Sequence, residues 1–187
     1  MHPWEKMKFK SLATRPGSLS LINTFEQSVG AKLPSDFRQF LLAVNGGRPV
    51  HLTKPNPRDY ALVEVDWQGR PPAEAHDLVI VSYLLSAEDW AGIYEEEKGD
   101  SLTLDGAYRV FVQEEPRIPG GFIPIGKDPG GSLFLLDVGG KQLGSVWFWA
   151  RDWFDLEQKE ESPFHNMGLV AANFSEFISK IQFKPIS

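Results

Sequence analysis

The side chains that commonly do chemistry in proteins are sparse in this sequence. It contains no cysteine, which excludes thiolate metal sites, disulfides and cysteine nucleophiles and favours a reducing compartment. Its histidines share no short spacing with one another or with paired carboxylates, as a zinc or hydrolytic site would require. They are His2, His51, His76 and His165. No Gly-x-Ser-x-Gly turn or other paired catalytic motif is present. The sequence therefore predicts a protein that is not an enzyme and that uses no metal or cofactor.

One glycine-rich stretch, Gly126–Gly131, has the residue types of a phosphate-binding loop. Such a loop leads from a strand into the N-terminus of a helix, because the helix supplies unpaired N–H groups and the positive end of its dipole. Here the residues that follow predict a second strand. The stretch is therefore predicted to be a hairpin turn, with Asp128 and Pro129 setting its geometry.

Charge argues against a nucleic-acid binder. The 19 basic and 25 acidic residues give a net charge of −6, whereas binding to phosphate requires a basic surface. Trp147 and Trp149 have rings that stack on bases in other proteins, but strand alternation places both on one face, where core packing is the common role. No direct contact with nucleic acid is predicted.

The excess negative charge is concentrated in one segment. Residues 86–115 hold nine acidic and two basic residues, a net charge of −7, whereas residues 1–85 carry +2 and residues 116–187 carry −1. Such a segment either solvates the exposed end of a helix or recognises a basic protein. Aromatic anchors inside a charged rim are typical of a protein interface. The predicted partner-binding residues are Trp90, Tyr94, Glu95, Glu96, Glu97 and Asp100. The loops at 48–60 and 151–167 are the next candidates.

Several helices must position these residues. Apolar residues at helical spacing predict a first helix over 19–29, capped by Ser18 or Ser20, and a second over 35–44, whose Asp36 faces outward. The second helix is predicted to stop at Asn45–Gly47, because asparagine and glycine accept the left-handed conformation of a helix end. Further helices are predicted to begin at Ser86, at Leu104 and at a Ser175 cap.

Strands make up the rest of the predicted fold. They are expected at 61–67, 78–85, 122–125, 132–138 and 144–149, with loops at 48–60, 68–75 and 151–167. The strand at 61–67 and the last three strands are expected to share one sheet, on which the first two helices and the last pack. The predicted core includes Phe37, Phe40, Leu41, Phe134 and Phe177. The fold class predicted is a single α+β domain over 1–187, with a mostly antiparallel or mixed sheet packed with helices.

Three segments in one order resemble the SUKH superfamily. The first runs from Val29 to Gly47, reading Leu-Pro, then a helix, then Asn-Gly-Gly. The second comprises 122–126, Gly130–Gly131, 133–137 and 144–149, and the third is the closing helix at 170–178. The resemblance covers roughly residues 19 to 182. One position departs from the pattern, because Ser132 stands where the family often has aspartate after the paired glycines.

The resemblance implies a function in protein binding. Bacterial members of the superfamily are widely immunity proteins of toxin systems, and fungal relatives regulate cell-wall assembly. The expected partner is thus a cognate protein toxin. The negative charge of the acidic segment favours a basic toxin, for example a basic nuclease. The alternative is a regulatory or scaffold module of the same fold that binds a small ligand or signalling partner. Because no secretory signal or membrane span is evident, a cytoplasmic protein is predicted, either a monomer or a weak homodimer.

Overall fold

A computed structural model describes residues 1–11, 13, 16–53, 58–67, 76–87, 103–114, 116–151, 162 and 164–185. A short 3-10 helix at Pro3–Lys6 precedes four α-helices in these ranges. The α-helices are α1 (Leu19–Val29), α2 (Ser35–Ala43), α3 (Leu104–Tyr108) and α4 (Phe174–Lys180). A π-helix at Arg109–Glu114 continues α3 directly. The predicted α+β class is confirmed.

The strands of the described ranges form three antiparallel sheets. They are β1 (Met7–Lys10), β2 (Arg48–His51), β3 (Asp59–Glu64), β4 (Asp66–Trp67), β5 (Leu78–Ile80), β6 (Tyr83–Leu84), β7 (Phe122–Lys127), β8 (Leu133–Asp137), β9 (Val146–Trp149), β10 (Met167–Ala171) and β11 (Gln182–Pro185). The largest sheet has the order β4-β10-β9-β8-β7-β6, the second has the order β11-β3-β5, and β1 pairs with β2 alone.

The six-stranded sheet lies at the centre of the protein. Every residue of β7, β8 and β9 is buried, because helices cover both of its faces. On one face Phe134 contacts Phe177 of α4, with ring centroids 5.4 Å apart. On the other face Trp149 contacts Phe111 of the π-helix at 6.3 Å. Burial on both faces explains why these strands are nearly continuous apolar runs.

The prediction that residues 61–67 join this sheet is wrong for most of the strand. β3 lies in the three-stranded sheet, and only the two residues of β4 pair with β10. The chain changes sheet at Val65, which is 5% exposed and lies between the two strands. Gly168 of β10 makes room for it, since a Cβ at this glycine would stand 2.2 Å from Val65 Cγ1.

The predicted loop at 48–60 and the irregular segment at 151–167 need a similar correction. Residues 48–51 form β2, which pairs with β1 near the N-terminus, and Met167 begins β10. Strands of this kind are invisible to local patterns, because their partners lie far away in the sequence. β11 after α4 was also not predicted, and it pairs with β3.

The two predicted N-terminal helices are confirmed, with one correction. Ser18 caps α1 through its hydroxyl, which accepts from the N–H of Leu21 at 3.2 Å. Asp36 of α2 does not face outward as predicted. Its carboxylate accepts from the N–H of Ser175 at 2.8 Å and so joins the start of α2 to the start of α4.

One predicted helix start is wrong, and a second falls mostly outside the described residues. The cap of α4 is Asn173, whose side chain accepts from the N–H of Glu176 at 2.8 Å, whereas Ser175 lies inside the helix. Ser86 forms a parallel bridge with Thr103, and the body of the helix predicted to follow Ser86 stays a prediction. Ser86 and Ala87 are followed by the segment 88–102, which lies outside the described residues.

The core prediction is confirmed. Each of its five members is fully buried: Phe37, Phe40, Leu41, Phe134 and Phe177. Phe37 and Phe40 of α2 contact Phe174 of α4 at 4.8 and 4.9 Å. All but one of the buried apolar residues in the described ranges form a single cluster that extends from Trp4 to Ile181, the exception being Leu62.

Candidate functional site

The predicted partner-binding residues lie outside the described part of the chain. They are Trp90, Tyr94, Glu95, Glu96, Glu97 and Asp100. The structure does describe both ends of the segment that carries them. Ser86 and Thr103 lie side by side, and the N–H of Leu104 donates to the carbonyl of Ser86 at 2.9 Å. The chain thus leaves and re-enters the described fold at one point.

Asn45 fixes the same point from the end of α2. Its side-chain oxygen accepts from the N–H of Ala87 at 2.9 Å, and its amide donates to the carbonyl of Ala87 at 3.3 Å. Asn45 is 2% exposed and has a positive φ of 57°. The next residue must be glycine, because a Cβ at Gly46 would stand 2.6 Å from the carbonyl oxygen of Leu84. The Asn-Gly-Gly motif therefore holds the end of α2 against Ala87, near the start of the acidic segment.

Glu26 is a buried carboxylate with a structural role. It accepts hydrogen bonds from Lys32 at 2.7 Å, from Arg38, and from the N–H of Leu33 at 3.0 Å. Burial by itself would raise the pKa of Glu26. The three hydrogen-bond donors have the larger, opposite effect, so the pKa falls to about 2. Because every partner lies on α1, on α2 or on the turn between them, Glu26 joins the two helices and stays charged.

The three-stranded sheet has an exposed outer face. Its inner face carries Ala61 and Val63, which belong to the core. Strand alternation places Tyr60 and Leu62 on the opposite face, and the register sets Ile80 opposite Leu62. Tyr60 is 38% exposed and Leu62 is only 7% exposed, although Leu62 is not part of the core cluster. Leu62 is therefore buried on the outer side of the sheet.

Leu78 extends this apolar surface. It lies beside Ile80 in alternation and is 42% exposed. Charged and polar residues border the apolar side chains, since Glu64 lies opposite Leu78, Lys184 opposite Tyr60, and Gln182 opposite Leu62. We call Tyr60, Leu62, Leu78 and Ile80 the outer apolar face. An apolar centre with a charged rim is the composition expected of a protein interface.

A groove of about 250 Å³ runs along β5, beside this face. Three consecutive residues of β5 line one wall, so the groove follows the edge of the strand. Among the described residues its lining comprises His76, Leu78, Val79, Ile80, Asp128, Pro129, Ser132, Phe148 and Ala150. One histidine and one carboxylate over a largely apolar lining favour binding over catalysis.

The opposite wall of the groove is the glycine-rich turn. The predicted hairpin is confirmed, because β8 follows it. Asp128 closes the turn by accepting from the N–H of Ser132 at 2.7 Å. The Ser132 hydroxyl accepts from the N–H of Arg151 at 3.2 Å and so ties the turn to the residues just after β9. The wall is thus held rigidly on two sides.

Metal ligation and membrane insertion find no support in the described ranges. Within them, no group of three or more histidine, aspartate or glutamate side chains could hold a metal ion. None of the helices in this part of the chain is long and apolar enough to cross a membrane.

The sequence reasoning missed the outer apolar face. Residues 60–63 carry apolar or aromatic side chains at successive positions, which signals a strand with apolar groups on both faces. Residues 78–85 form the same kind of run and were predicted to be a buried strand. The structure divides this run into β5 and β6 and leaves Leu78 exposed.

Comparison with known proteins places the chain among relatives of this fold. Residues 16–180 match the SMI1 / KNR4 family (SUKH-1). The chain is also 25% identical to the SPbeta prophage-derived uncharacterized protein YokK of Bacillus subtilis (strain 168) over 198 aligned positions, which cover 97% of this chain and 86% of the relative. No solved structure matches the chain significantly.

Proposed function

Since the chain belongs to the SMI1 / KNR4 family (SUKH-1), we propose that it works by binding another protein and not by catalysing a reaction. The outer apolar face is the observation that carries this proposal. Tyr60 and Leu78 keep 38% and 42% of their surface exposed on a sheet whose other face is in the core. Exposed apolar groups that cluster inside a polar rim are characteristic of surfaces that bind proteins.

The bound protein in this proposal is a toxin, and the chain is its immunity protein in the cytoplasm of the producing cell. Family resemblance supports this step, because bacterial members of the superfamily are widely immunity proteins. An immunity protein acts by occupying a surface, so it needs an interface and no reacting groups. The groove and the outer apolar face meet that requirement.

The acidic segment has a separate part in the proposal. Trp90, Tyr94, Glu95, Glu96, Glu97 and Asp100 lie in a stretch with a net charge of −7. Such charge steers a basic protein, for example a basic nuclease, toward its binding site and raises the association rate. The bonded ends of the segment at Ser86 and Thr103 support this role, because they hold its base in place.

Co-expression with the product of the gene directly upstream tests the function. Induction of that product alone is expected to arrest growth, and simultaneous expression of this chain is expected to restore growth. The two purified proteins should also elute together on size exclusion. An upstream product that is harmless, or that remains toxic beside this chain, would contradict the immunity proposal.

Graded charge changes test the acidic segment. Replacing Glu95, Glu96 and Glu97 by Gln removes three charges, and replacing them by Lys reverses three charges. Association with the toxin should slow in that order at low salt, because each step weakens the attraction of the segment for a basic protein. The melting temperature of each variant is the control for folding. Stopped-flow rates across a salt series measure the effect. Equal rates for all three proteins would move the interface away from this segment.

The absence of catalysis is also tested directly. We expect the purified chain to hydrolyse no nucleic acid, nucleotide or ester, with or without added divalent metal. Turnover that a single polar substitution abolishes, in a variant with an unchanged melting temperature, would refute this part of the proposal.

A small ligand is the less favoured occupant of the groove. Sites for small molecules typically measure about 300–1,000 Å³ and enclose most of the ligand. The groove along β5 has about 250 Å³ and follows an open strand edge. Its size suits one or two side chains of a bound protein better than a cofactor.

A further inference from the structure

Among the described residues, backbone pairing along the edge of β5 that faces away from β3 begins only at Ser82. At Ser82, just after β5, the N–H donates to the carbonyl of Lys127 in β7 at 2.9 Å. β7 ends at this lysine, and the Asp128–Pro129 turn then leads the chain into β8. The groove occupies the position beside β5 that a longer β7 would fill.

The backbone of β5 directs specific groups toward this groove. On the other edge of β5, the N–H of Val65 donates to the carbonyl of Asp77 and the N–H of Val81 donates to the carbonyl of Ala61, both at 2.8 Å. In an antiparallel pair the residues between such bonds point their N–H and C=O groups away from the partner strand. Leu78 and Ile80 therefore direct their backbone groups away from β3.

These outward groups determine what the groove can accept. Among the described strands, β5 pairs with β3 alone. Backbone N–H and C=O groups at strand spacing pair well with another extended backbone and poorly with a helix, whose own backbone groups are already bonded. Phe148 and Ala150 are among the residues that line the groove, so a side chain that contacts them should be apolar.

We propose that an extended segment of the bound protein lies in this groove, in line with β7, and pairs with the backbone of Leu78 and Ile80. The segment adds a strand to the sheet and places an apolar side chain over Phe148. This inference rests on the proposed protein-binding function and specifies how the partner is held. The outer apolar face then continues the contact on one side of the added strand.

A library of random linear peptides displayed on phage tests this directly, without knowledge of the toxin. Peptides selected on the wild-type chain are expected to carry alternating β-branched or aromatic residues. Their binding should fall at least about tenfold in Leu78→Pro, since proline removes an outward N–H and blocks an approaching strand. Leu78→Thr is the matched control, because it changes the side chain and keeps the N–H, and it should lose less.

Hydrogen exchange provides a second measurement on the unmodified protein. The amides of Leu78 and Ile80 should exchange more slowly when a selected peptide is bound, while the amide of Val79, which faces β3, should change little. The same protection is expected in the complex with the upstream toxin. If Leu78→Pro melts at a much lower temperature than the wild type, its loss of peptide binding no longer reports on the strand edge. Hydrogen exchange of the wild-type chain then decides the question.

The outcomes separate this inference from the proposed function. If the toxin binds but the Leu78 and Ile80 amides keep their exchange rates, strand addition is wrong and the immunity role stands. If the upstream product does not bind but selected peptides protect these amides, the immunity role is wrong and the strand site stands. The inference is overturned if no selected peptide binds the wild type more tightly than it binds Leu78→Pro. It is also overturned by self-association through this edge, seen as a concentration-dependent dimer that Leu78→Pro abolishes.

Discussion

The six-stranded and three-stranded sheets are built from similar residues but differ in what covers them. β7, β8 and β9 have helices on both faces and no exposed residue. The three-stranded sheet has its inner face in the core, and its outer face buries Leu62 but keeps Tyr60 and Leu78 partly exposed. Two layers of packing make the first sheet the frame of the fold. The second sheet has apolar surface and a strand edge that the rest of the described chain does not use.

The largest expected difference is in stability. Phe134→Ala in β8 should lower the free energy of unfolding by about 3–5 kcal/mol, because it removes a fully buried ring between Phe148 and Phe177 and leaves a cavity. Leu78→Ala is the matched change in the other sheet and should cost far less, since Leu78 is 42% exposed. Urea denaturation measures both. Equal losses would show that the two sheets are packed alike.

The buried carboxylate of Glu26, which joins α1 to α2, provides the next test of the packed part of the fold. Because hydrogen bonds lower the pKa of Glu26 from 4.5 to about 2, its ionised form stabilises the folded state above pH 4.5. This contribution, roughly 3 kcal/mol, should be lost as the pH falls from 4.5 toward 2. Unfolding free energies of the wild type and Glu26→Gln, compared at each pH, should therefore converge in acid. A constant difference between them would contradict the role of the charge.

Substitutions at Asn45 test the hydrogen bonds that join the end of α2 to Ala87. Asn45→Gly keeps the positive φ and removes the side chain, so its cost of about 1–3 kcal/mol reports the loss of the side-chain interactions, including the two hydrogen bonds to Ala87. Asn45→Ala should cost more, because alanine is strained at a φ of 57°. Thermal melts of the two variants separate these contributions. A glycine variant as stable as the wild type would mean that the amide pair adds nothing.

The smallest effect on stability and the largest on binding are expected at the outer apolar face. Tyr60→Ser should lower the free energy of unfolding by only about 1 kcal/mol, because Tyr60 is 38% exposed and loses the burial of the rest of its ring. Combined with Leu78→Ser, it should weaken binding of the toxin at least about tenfold if both side chains are anchors. Calorimetric titration measures the affinity. Full neutralisation by the double variant would remove this face from the interface.

Local patterns in the sequence predicted the elements whose partners are near. The spacing of apolar residues was sufficient for α1 and α2, and the apolar runs on either side of the Gly126–Gly131 turn were sufficient for β7 and β8. The pairing of β1 with β2, by contrast, joins Met7 to His51. No local signal specifies such a partner, so these strands were missed.

The candidate site was harder to predict for a related reason. An apolar run such as 78–85 indicates a strand, but the exposure of Leu78 depends on which elements cover it. The change of sheet at Val65 depends on the space beside Gly168, which is distant in sequence. The acidic segment was identified from charge alone, and its role stays a prediction.

The junction of Ser86 with Thr103 also bears on how such proteins diversify. Both ends of the intervening segment are held at one bonded point beside Asn45. The entropy of closing a loop between two fixed ends grows slowly, by about 0.6 kcal/mol for each doubling of its length. Loop-closure entropy therefore places only a weak limit on insertions between Ala87 and Thr103. A lineage that meets a new partner can, on this count, lengthen the insert while selection preserves the residues that hold its two ends.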